Sequence, residues 1–375
     1  MRLICESCDH GYAPEAEHCP WCGAPSMVAY MSHAESHFDI ECYTNFFLVK
    51  FSTGESFEQH TGTTLDVKAL THTLSRYTLY SFNGRAYDVP MLALALDGAG
   101  CLELKQLSDS IIQDGVKYWD LPGVPWLDHI DMIEVCPGAG SQKSYGARMH
   151  VPVLQDLPYP PESILTWAQK CNIRTYCEYD IDTLKKLCET LEPAIRLRNH
   201  ITKTEGLDVR SKSGPQIAEA LFKKKLGRTV EKPFYPVGMQ FYFRPAPWMK
   251  HSVLEVLARC PFTITETMKV EMAKELKNLV VTIGNTNYQM GMGGLHSKEE
   301  SISHHEDAEY SLGEFDVAAY YPTTIVNTGV CPGQLGSAFK TIYRQWRDDR
   351  AIAKKKMQEI AKKIKELETN EHRDI

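Results

Sequence analysis

The sequence has no run of about 18 consecutive apolar residues, so no membrane-crossing helix is expected. Its first residues, MRLICESCDHG, carry no apolar stretch behind the leading basic residue. No secretory leader is therefore expected, and the expected compartment is a reducing cytoplasm, that of the host if the protein is viral. There is no positive net charge either: 41 Lys and Arg against 48 Asp and Glu give −7. A chain of this balance that binds nucleic acid must gather positive charge locally. It does so at residues 223–228 and 344–365, although a basic run is also the ordinary composition of a solvated helix face. Internal repeats and low-complexity tracts are lacking as well. What remains is a chain of 375 residues, 43% of them hydrophobic, enough for a sizeable core and for two or three domains.

Twelve cysteines in a reducing compartment are not expected to form disulfides. Cys5, Cys8, Cys19 and Cys22 read C-x₂-C, ten residues, C-x₂-C. Each pair offers two thiolates from one turn, and two pairs complete a tetrahedral shell suited to one structural Zn²⁺. Residues 1–26 are dense in Cys, Gly and Pro and poor in apolar periodicity, so metal binding would supply the folding energy of this zinc ribbon. A redox role for the C-x-x-C pairs lacks a surrounding βαβ pattern. Both DNA binding and partner docking are open to the ribbon.

Beyond the ribbon, strand and helix patterns alternate, which predicts an α/β sheet layered with helices over residues 27–205. FFLVKFSTG reads as a strand, RYTLYSFNG and VPMLALALDG as strand, turn and helix, and LDHIDMIEV as a further strand. ESILTWAQKC and DIDTLKKLCETLEPAIRLRNHI read as helices. Residues 206–300 hold a polar loop, a helix, a Pro- and aromatic-rich stretch, and KNLVVTIGNTNYQMGMGG, which reads as paired strands around an Asn/Gly turn. Residues 301–375 end in a long charged helix from about residue 338 to 369.

Asp39, Ile40 and Glu41 form a D-x-E step. Alternate residues of a strand face one side, so the two carboxylates project together while Ile40 points into the core. Such a pair is costly unless a divalent cation neutralises it. Asp88, in NGRAYD, sits where a strand turns into a helix. Tyr176 and Asp180, in YCEYD, lie four apart and share a helix face. Asp182 competes with Asp180 but points elsewhere on the same helix. Asp128, His129 and Asp131 read as a solvated strand end, with support of the site as the alternative.

In this order, DIE, NGRAYD and YCEYD resemble the three exonuclease motifs of the DEDD superfamily, in the tyrosine-bearing subtype found in family B DNA polymerases. The likeness runs from residue 37 to about 204. It implies a ribonuclease-H-like fold, two Mg²⁺ or Mn²⁺ ions, and 3′→5′ removal of nucleotides from single-stranded or frayed DNA ends. By the resemblance, Asp39 contacts both ions, Glu41 and Asp180 hold the nucleophile-side ion, and Asp88 holds the other. Tyr176 orients the attacking water, and Asn83 contacts the DNA.

A second likeness follows. DVAAYYPTTI resembles the first palm motif of family B polymerases, with Asp316 in the metal-binding position and Tyr321 beneath the incoming sugar. Ala319, Thr323 and Thr324 depart from the commoner serine-containing form. SYGARMHVPVLQDLPY, GLDVRSKSGPQIAEAL and GMGGLHS resemble the phage-type members. A complete polymerase also needs a fingers helix with a lysine and a later acidic strand turn. The last helix would be the start of the fingers at most, so this chain is expected to polymerise only when a second chain completes the palm, a truncated product that retains only the exonuclease being the other explanation. The resemblance thus implies a proofreading exonuclease that is part of a DNA polymerase. The alternative is a non-catalytic DNA-binding or assembly subunit of a split polymerase. A further reading, an RNA-directed nuclease, is disfavoured by the partial palm.

Overall fold

The computed structural model describes residues 3, 4, 11, 12, 34–228, 230, 234–245, 247 and 250–371. The chain divides into two compact units, Met1–Phe222 and Lys223–Ile375. In the first, β1 (Leu3–Ile4) pairs antiparallel with β2 (Gly11–Tyr12). Cys5, Cys8, Cys19 and Cys22, and with them the expected zinc site, lie outside the described residues.

The centre of the first unit is a five-stranded mixed sheet. Its elements run β3 (Ala34–Tyr43), β4 (Phe46–Phe51), β5 (Ser56–His60), α1 (Val67–Arg76), β6 (Tyr77–Ser81), α2 (Asp88–Leu96), α3 (Cys101–Ile112) and β7 (His129–Asp131). The strand order is β5-β4-β3-β6-β7. The neighbours β3/β4 and β4/β5 are antiparallel, whereas β6 runs parallel to β3 and β7 parallel to β6. Phe38, Ile40 and Cys42 of β3 and Phe47, Val49 and Phe51 of β4 pack with Leu70, Leu74, Met91 and Leu104 from α1–α3. On the opposite face come α4 (Gln142–Arg148), α5 (Trp167–Thr190) and α6 (Glu192–Glu205). There Tyr43, Phe46 and Leu48 meet Ile173, Cys177 and Ile181 of α5, and Tyr80 and Ile130 meet Leu184, Leu187 and Ile195. Full burial of each large side chain such as Phe46 or Phe47 contributes about 1.5–3 kcal/mol.

Three elements differ from the sequence expectation, the first being the helix over ESILTWAQKC, which begins only at Trp167 and runs unbroken through YCEYD. The strand over LDHIDMIEV covers only His129–Asp131, because the Asp131 carboxylate accepts the backbone N–H of Ile133 and turns the chain into a 3₁₀ turn, Met132–Glu134. The helical run from Asp180 through Ile201 is two helices broken at Leu191. Pro193 stands in the first turn of α6, where its missing N–H costs nothing, and would remove a hydrogen bond inside a continuous helix. The start of α5 is set by a capping box in which Thr166 and Gln169 bond each other's backbone N–H.

The edge strand β5 is tied to α5 by a two-pronged ion pair: Arg174 Nε and Nη2 donate to the Glu58 carboxylate at 2.5 and 2.6 Å. The same guanidinium lies 4.9 Å from the Trp167 ring centre. Arg174→Ala is expected to destabilise the protein by about 1–3 kcal/mol at neutral pH. The Arg174 hydrogen bond holds the Glu58 carboxyl below its ordinary value of 4.5. The ion pair therefore stabilises fully above that value, and its contribution is lost as pH falls through the lowered one. Urea unfolding of both proteins at pH 7 and below pH 4 checks this: the difference between them shrinks at the lower pH.

α6 ends at Gly206, whose φ of 60° is the left-handed conformation a glycine adopts without strain. The following residues remain tied to the sheet. Arg210 donates to Asp208 at 3.0 and 2.8 Å and to Asp128 at 2.7 Å, and the Ser211 hydroxyl accepts the Asp131 N–H at 2.8 Å. α7 (Gly214–Leu226) spans the division between the units.

The second unit contains β8 (Gln240–Tyr242), α8 (Val253–Arg259), β9 (Pro261–Ile264), β10 (Val270–Met272) and α9 (Lys274–Lys277). It continues with β11 (Val280–Ile283), β12 (Thr286–Gly291), β13 (Gly294–Ser297), α10 (Tyr320–Thr328) and α11 (Ser337–Glu371). Its strands form two three-stranded antiparallel sheets, β10-β9-β8 and β11-β12-β13. The expected hairpin is β11–β12, turning at Gly284 with φ 60°. Side chains of α11 from Asp348 through Leu367 are exposed. Among the described residues no helix is long and apolar enough to cross a membrane.

Candidate active site

Strand β3 carries Asp39 and Glu41 on the face opposite Ile40, as period-two alternation requires. Asp88 is the first residue of α2, and Tyr176 and Asp180 stand one turn apart on α5. These five side chains, with Asn83 at the turn after β6, line one cleft of about 550 Å³. Glu41, Asp88 and Tyr176 are buried, Asp39 and Asp180 are half-buried, and Asn83 is exposed. Asp182 is exposed and lies outside this cleft.

The electrostatics of the cleft are one-sided. Burial, followed by the nearby Asp180 charge, pushes the Asp39 carboxyl up to about 7. Burial and the charges of Asp39 and Asp180 raise Glu41, and burial and the charges of Asp39 and Asp131 raise Asp88. Burial raises Asp180 too, opposed by the Tyr176 hydroxyl and by Lys143. Four carboxylates thus crowd a low-dielectric cleft with Lys143 as the cation acting on Asp39, Glu41 and Asp180. Such a set carries more negative than positive charge and is rich in oxygen donors, which fits hard divalent cations of the Mg²⁺ or Mn²⁺ class.

Ligand atoms of Asp39, Glu41 and Cys177 lie within 4.8 Å of one another, the one such group of three among the described residues. Cys177 is not part of the donor set. Its thiol is a soft donor, a poor match for Mg²⁺ or Mn²⁺, and burial together with the Asp39 and Glu41 charges pushes its pKa well up. It faces Asp39 Oδ2 at 3.8 Å as a weak donor.

Three further residues support this cleft: Lys143 and Gln142, which the sequence reading did not single out, and Asp131, for which it gave support of the site as the alternative. Lys143, the second residue of α4, donates to the Tyr176 hydroxyl at 2.7 Å, with its Nζ 4.7 Å from the ring centre. Gln142 beside it donates to the Asp180 carbonyl at 2.7 Å. Asp131 is buried and accepts the backbone N–H groups of Asn83, Arg85 and Ile133 at 2.8, 2.9 and 3.2 Å. It therefore holds the turn that delivers Asp88. The solvated strand end expected for Asp128, His129 and Asp131 is corrected by these bonds. Asp128 is paired with Arg210 and accepts the Thr78 hydroxyl at 2.7 Å, and His129 Nε2 lies 2.8 Å from the Ser81 hydroxyl. These partners sit far along the chain, so local pattern carries no signal of them.

The turn itself is tight. Asn83 has φ 62°, the left-handed region that asparagine tolerates better than most residues, so its identity has a backbone reason besides any ligand contact. A Cβ on Gly84 would stand 1.7 Å from Ser81 Oγ and 3.0 Å from His129 Nε2, so only glycine passes there without displacing both.

Comparison of the chain with protein-family models, with curated proteins and with solved structures finds no match.

The palm-like residues lie in the second unit. Asp316 is exposed on an irregular segment and belongs to no group of three metal-ligating residues among those described. Tyr321, in the first turn of α10, is exposed and donates to the Gly293 carbonyl at 3.0 Å.

Proposed function

We propose that the first unit is a metal-dependent 3′→5′ exonuclease acting on single-stranded or frayed DNA ends, with the ribonuclease-H-like fold of the proofreading domains in family B DNA polymerases. The observation that carries the reading is the convergence of Asp39, Glu41, Asp88 and Asp180, from three separate chain segments, on one cleft shared with Tyr176. The mixed sheet, with two of these carboxylates on one long strand, supports the fold assignment.

In the reaction a water oxygen attacks the terminal phosphorus and the bond from phosphorus to the 3′ oxygen of the preceding sugar breaks. The water's proton ends on that departing oxygen, giving a nucleoside 5′-monophosphate and a shortened strand with a 3′ hydroxyl. Two Mg²⁺ or Mn²⁺ ions, held by Asp39, Glu41, Asp88 and Asp180, would supply a more acidic water and neutralise charge on the phosphate and the departing oxygen. Tyr176 is not the base: burial and the charges of Asp180 and Glu41 push its hydroxyl pKa up, so the phenol keeps its proton. Its oxygen accepts from Lys143 and its proton faces the Asp180 carboxylate, so the phenol is fixed beside a proposed metal ligand, where it can orient a water. Asn83, exposed on the same cleft, offers an amide to the strand.

Lys143→Met removes both the anchor of Tyr176 and a positive charge beside the carboxylates. It is expected to lower the hydrolytic rate by about 10²-fold, the scale of losing one preorganised electrostatic group, with Lys143→Arg recovering part of it. Single-turnover hydrolysis of a short single strand measures this. The functional assignment itself is tested by incubating the full chain with single-stranded DNA and Mn²⁺ and collecting products. Release of nucleoside 5′-monophosphates, stopped by EDTA, is the expected result. A folded protein that binds the strand and releases nothing belongs instead to the non-catalytic assembly class.

A further inference from the structure

A second cavity of about 360 Å³ lies in the first unit, and Tyr118 lines both it and the acidic cleft. Its size falls within the range of about 300–1,000 Å³ usual for small-ligand sites. Its character is the opposite of the cleft's. Arg85 and Lys212 bring two positive charges, and the single carboxylate in its wall, Asp208, is taken by the Arg210 fork at 3.0 and 2.8 Å. The imidazole of His129 adds no charge, because burial and the Arg85 charge lower its pKa to about 3.

Tyr118 opens the 3₁₀ turn Tyr118–Asp120, which carries two exposed rings: Tyr118 is 39% exposed and Trp119 67%. They stand edge to face with centres 5.1 Å apart. The Arg85 guanidinium lies 5.2 Å from the Tyr118 ring centre, so a cation and an aromatic face already adjoin at the boundary between the two cavities. Tyr118 keeps about two fifths of its surface open and Trp119 two thirds, so both rings leave area on which a base can stack. Aromatic rings beside cations along one track are the recognition chemistry of single-stranded nucleic acid, which stacks bases and neutralises phosphates without reading sequence.

We infer that the Tyr118–Arg85 cavity is a binding subsite for the nucleotide preceding the terminal one in a single-stranded DNA, with its base on Tyr118 and its phosphate between Arg85 and Lys212. The inference rests on the exonuclease reading for the placement of the terminal nucleotide in the cleft. The strand must then leave that cleft, and Tyr118 forms the wall shared with the cation-bearing cavity.

The test is fluorescence anisotropy with a 5′-labelled, hydrolysis-resistant phosphorothioate oligothymidylate and Mn²⁺, on the full chain. Hydrolysis of the unmodified strand is run in parallel. Tyr118→Ala is expected to raise Kd about 5- to 50-fold, within the range for losing one stacked base, and Tyr118→Trp to retain binding. Arg85→Met is expected to weaken binding and to lower the slope of log Kd against log salt by about one. If Tyr118→Ala and Arg85→Met both bind within twofold of wild type while wild type shortens DNA, the subsite is overturned and the exonuclease stands. If both variants bind more weakly but no protein shortens DNA, the subsite stands as a strand-binding site and the exonuclease reading falls. If wild type does not bind the strand at all, both are overturned.

Discussion

Asp88→Ala is expected to slow nucleotide release from a single-stranded 3′ end by at least about 10³-fold, which corresponds to about 4 kcal/mol in the activation barrier. The size follows from where Asp88 sits. It is buried at the start of α2, and its carboxyl is pushed up by burial and by the charges of Asp39 and Asp131. In the proposed exonuclease this carboxylate would hold a cation against the substrate phosphate. The stability effect should run the other way. With EDTA present, removing one of the crowded carboxylates relieves repulsion, so the Tm of Asp88→Ala should equal or exceed that of wild type. With Mn²⁺ present, wild type should gain Tm by binding the ion, and the variant should gain less. A fall in Tm in EDTA together with retained activity would assign Asp88 to the core instead.

Asp131→Ala is expected to cost about 3–5 kcal/mol of folding free energy and to abolish hydrolysis as well. Three backbone N–H groups, those of Asn83, Arg85 and Ile133, lose their acceptor at once. An unsatisfied buried donor costs about 1–3 kcal/mol. Part of the total is offset by no longer burying a carboxylate whose pKa burial raises. Because the released turn is the one that delivers Asp88, the catalytic defect should persist at temperatures where the variant is still folded. Asp131→Asn keeps one acceptor oxygen and should fall between the two. Urea unfolding in parallel with the hydrolysis assay checks both parts. A loss under about 1 kcal/mol with full activity would mean that water replaces the carboxylate at no cost.

The cleft was legible in the sequence where its residues obey local periodicity. Asp39 and Glu41 share a face because strands alternate, and Tyr176 and Asp180 share one because helices repeat at four residues. Asp88 was legible as the residue at which a strand turns into a helix. Support for these residues comes instead from side chains that meet them only in three dimensions. Lys143 reaches Tyr176 across 33 positions, and Asp131 reaches Asn83 across 48. Asp131 in particular carries the local signature of a solvated acid at a strand end, and only the packing of Ser211 and the turn after β6 around it reverses that reading. The break at Leu191 was hidden for another reason: the apolar spacing of α5 and α6 continues through it, and Pro193 is the one local mark of the break. In the second unit the hairpin at Gly284 followed from turn chemistry. The exposed Asp316 segment carries a motif resemblance with no described cluster around it.

Metal-dependent removal of nucleotides from the 3′ end can be read from one gel. The full chain is incubated with a 5′-labelled single-stranded DNA and Mn²⁺, alongside an EDTA control and a strand whose 3′-terminal linkage is a phosphorothioate. A ladder that shortens one nucleotide at a time from the 3′ end is the expected result, absent with EDTA and delayed by the modified linkage. An undegraded strand in the presence of folded, Mn²⁺-loaded protein, or internal cuts indifferent to the 3′ modification, would contradict the account.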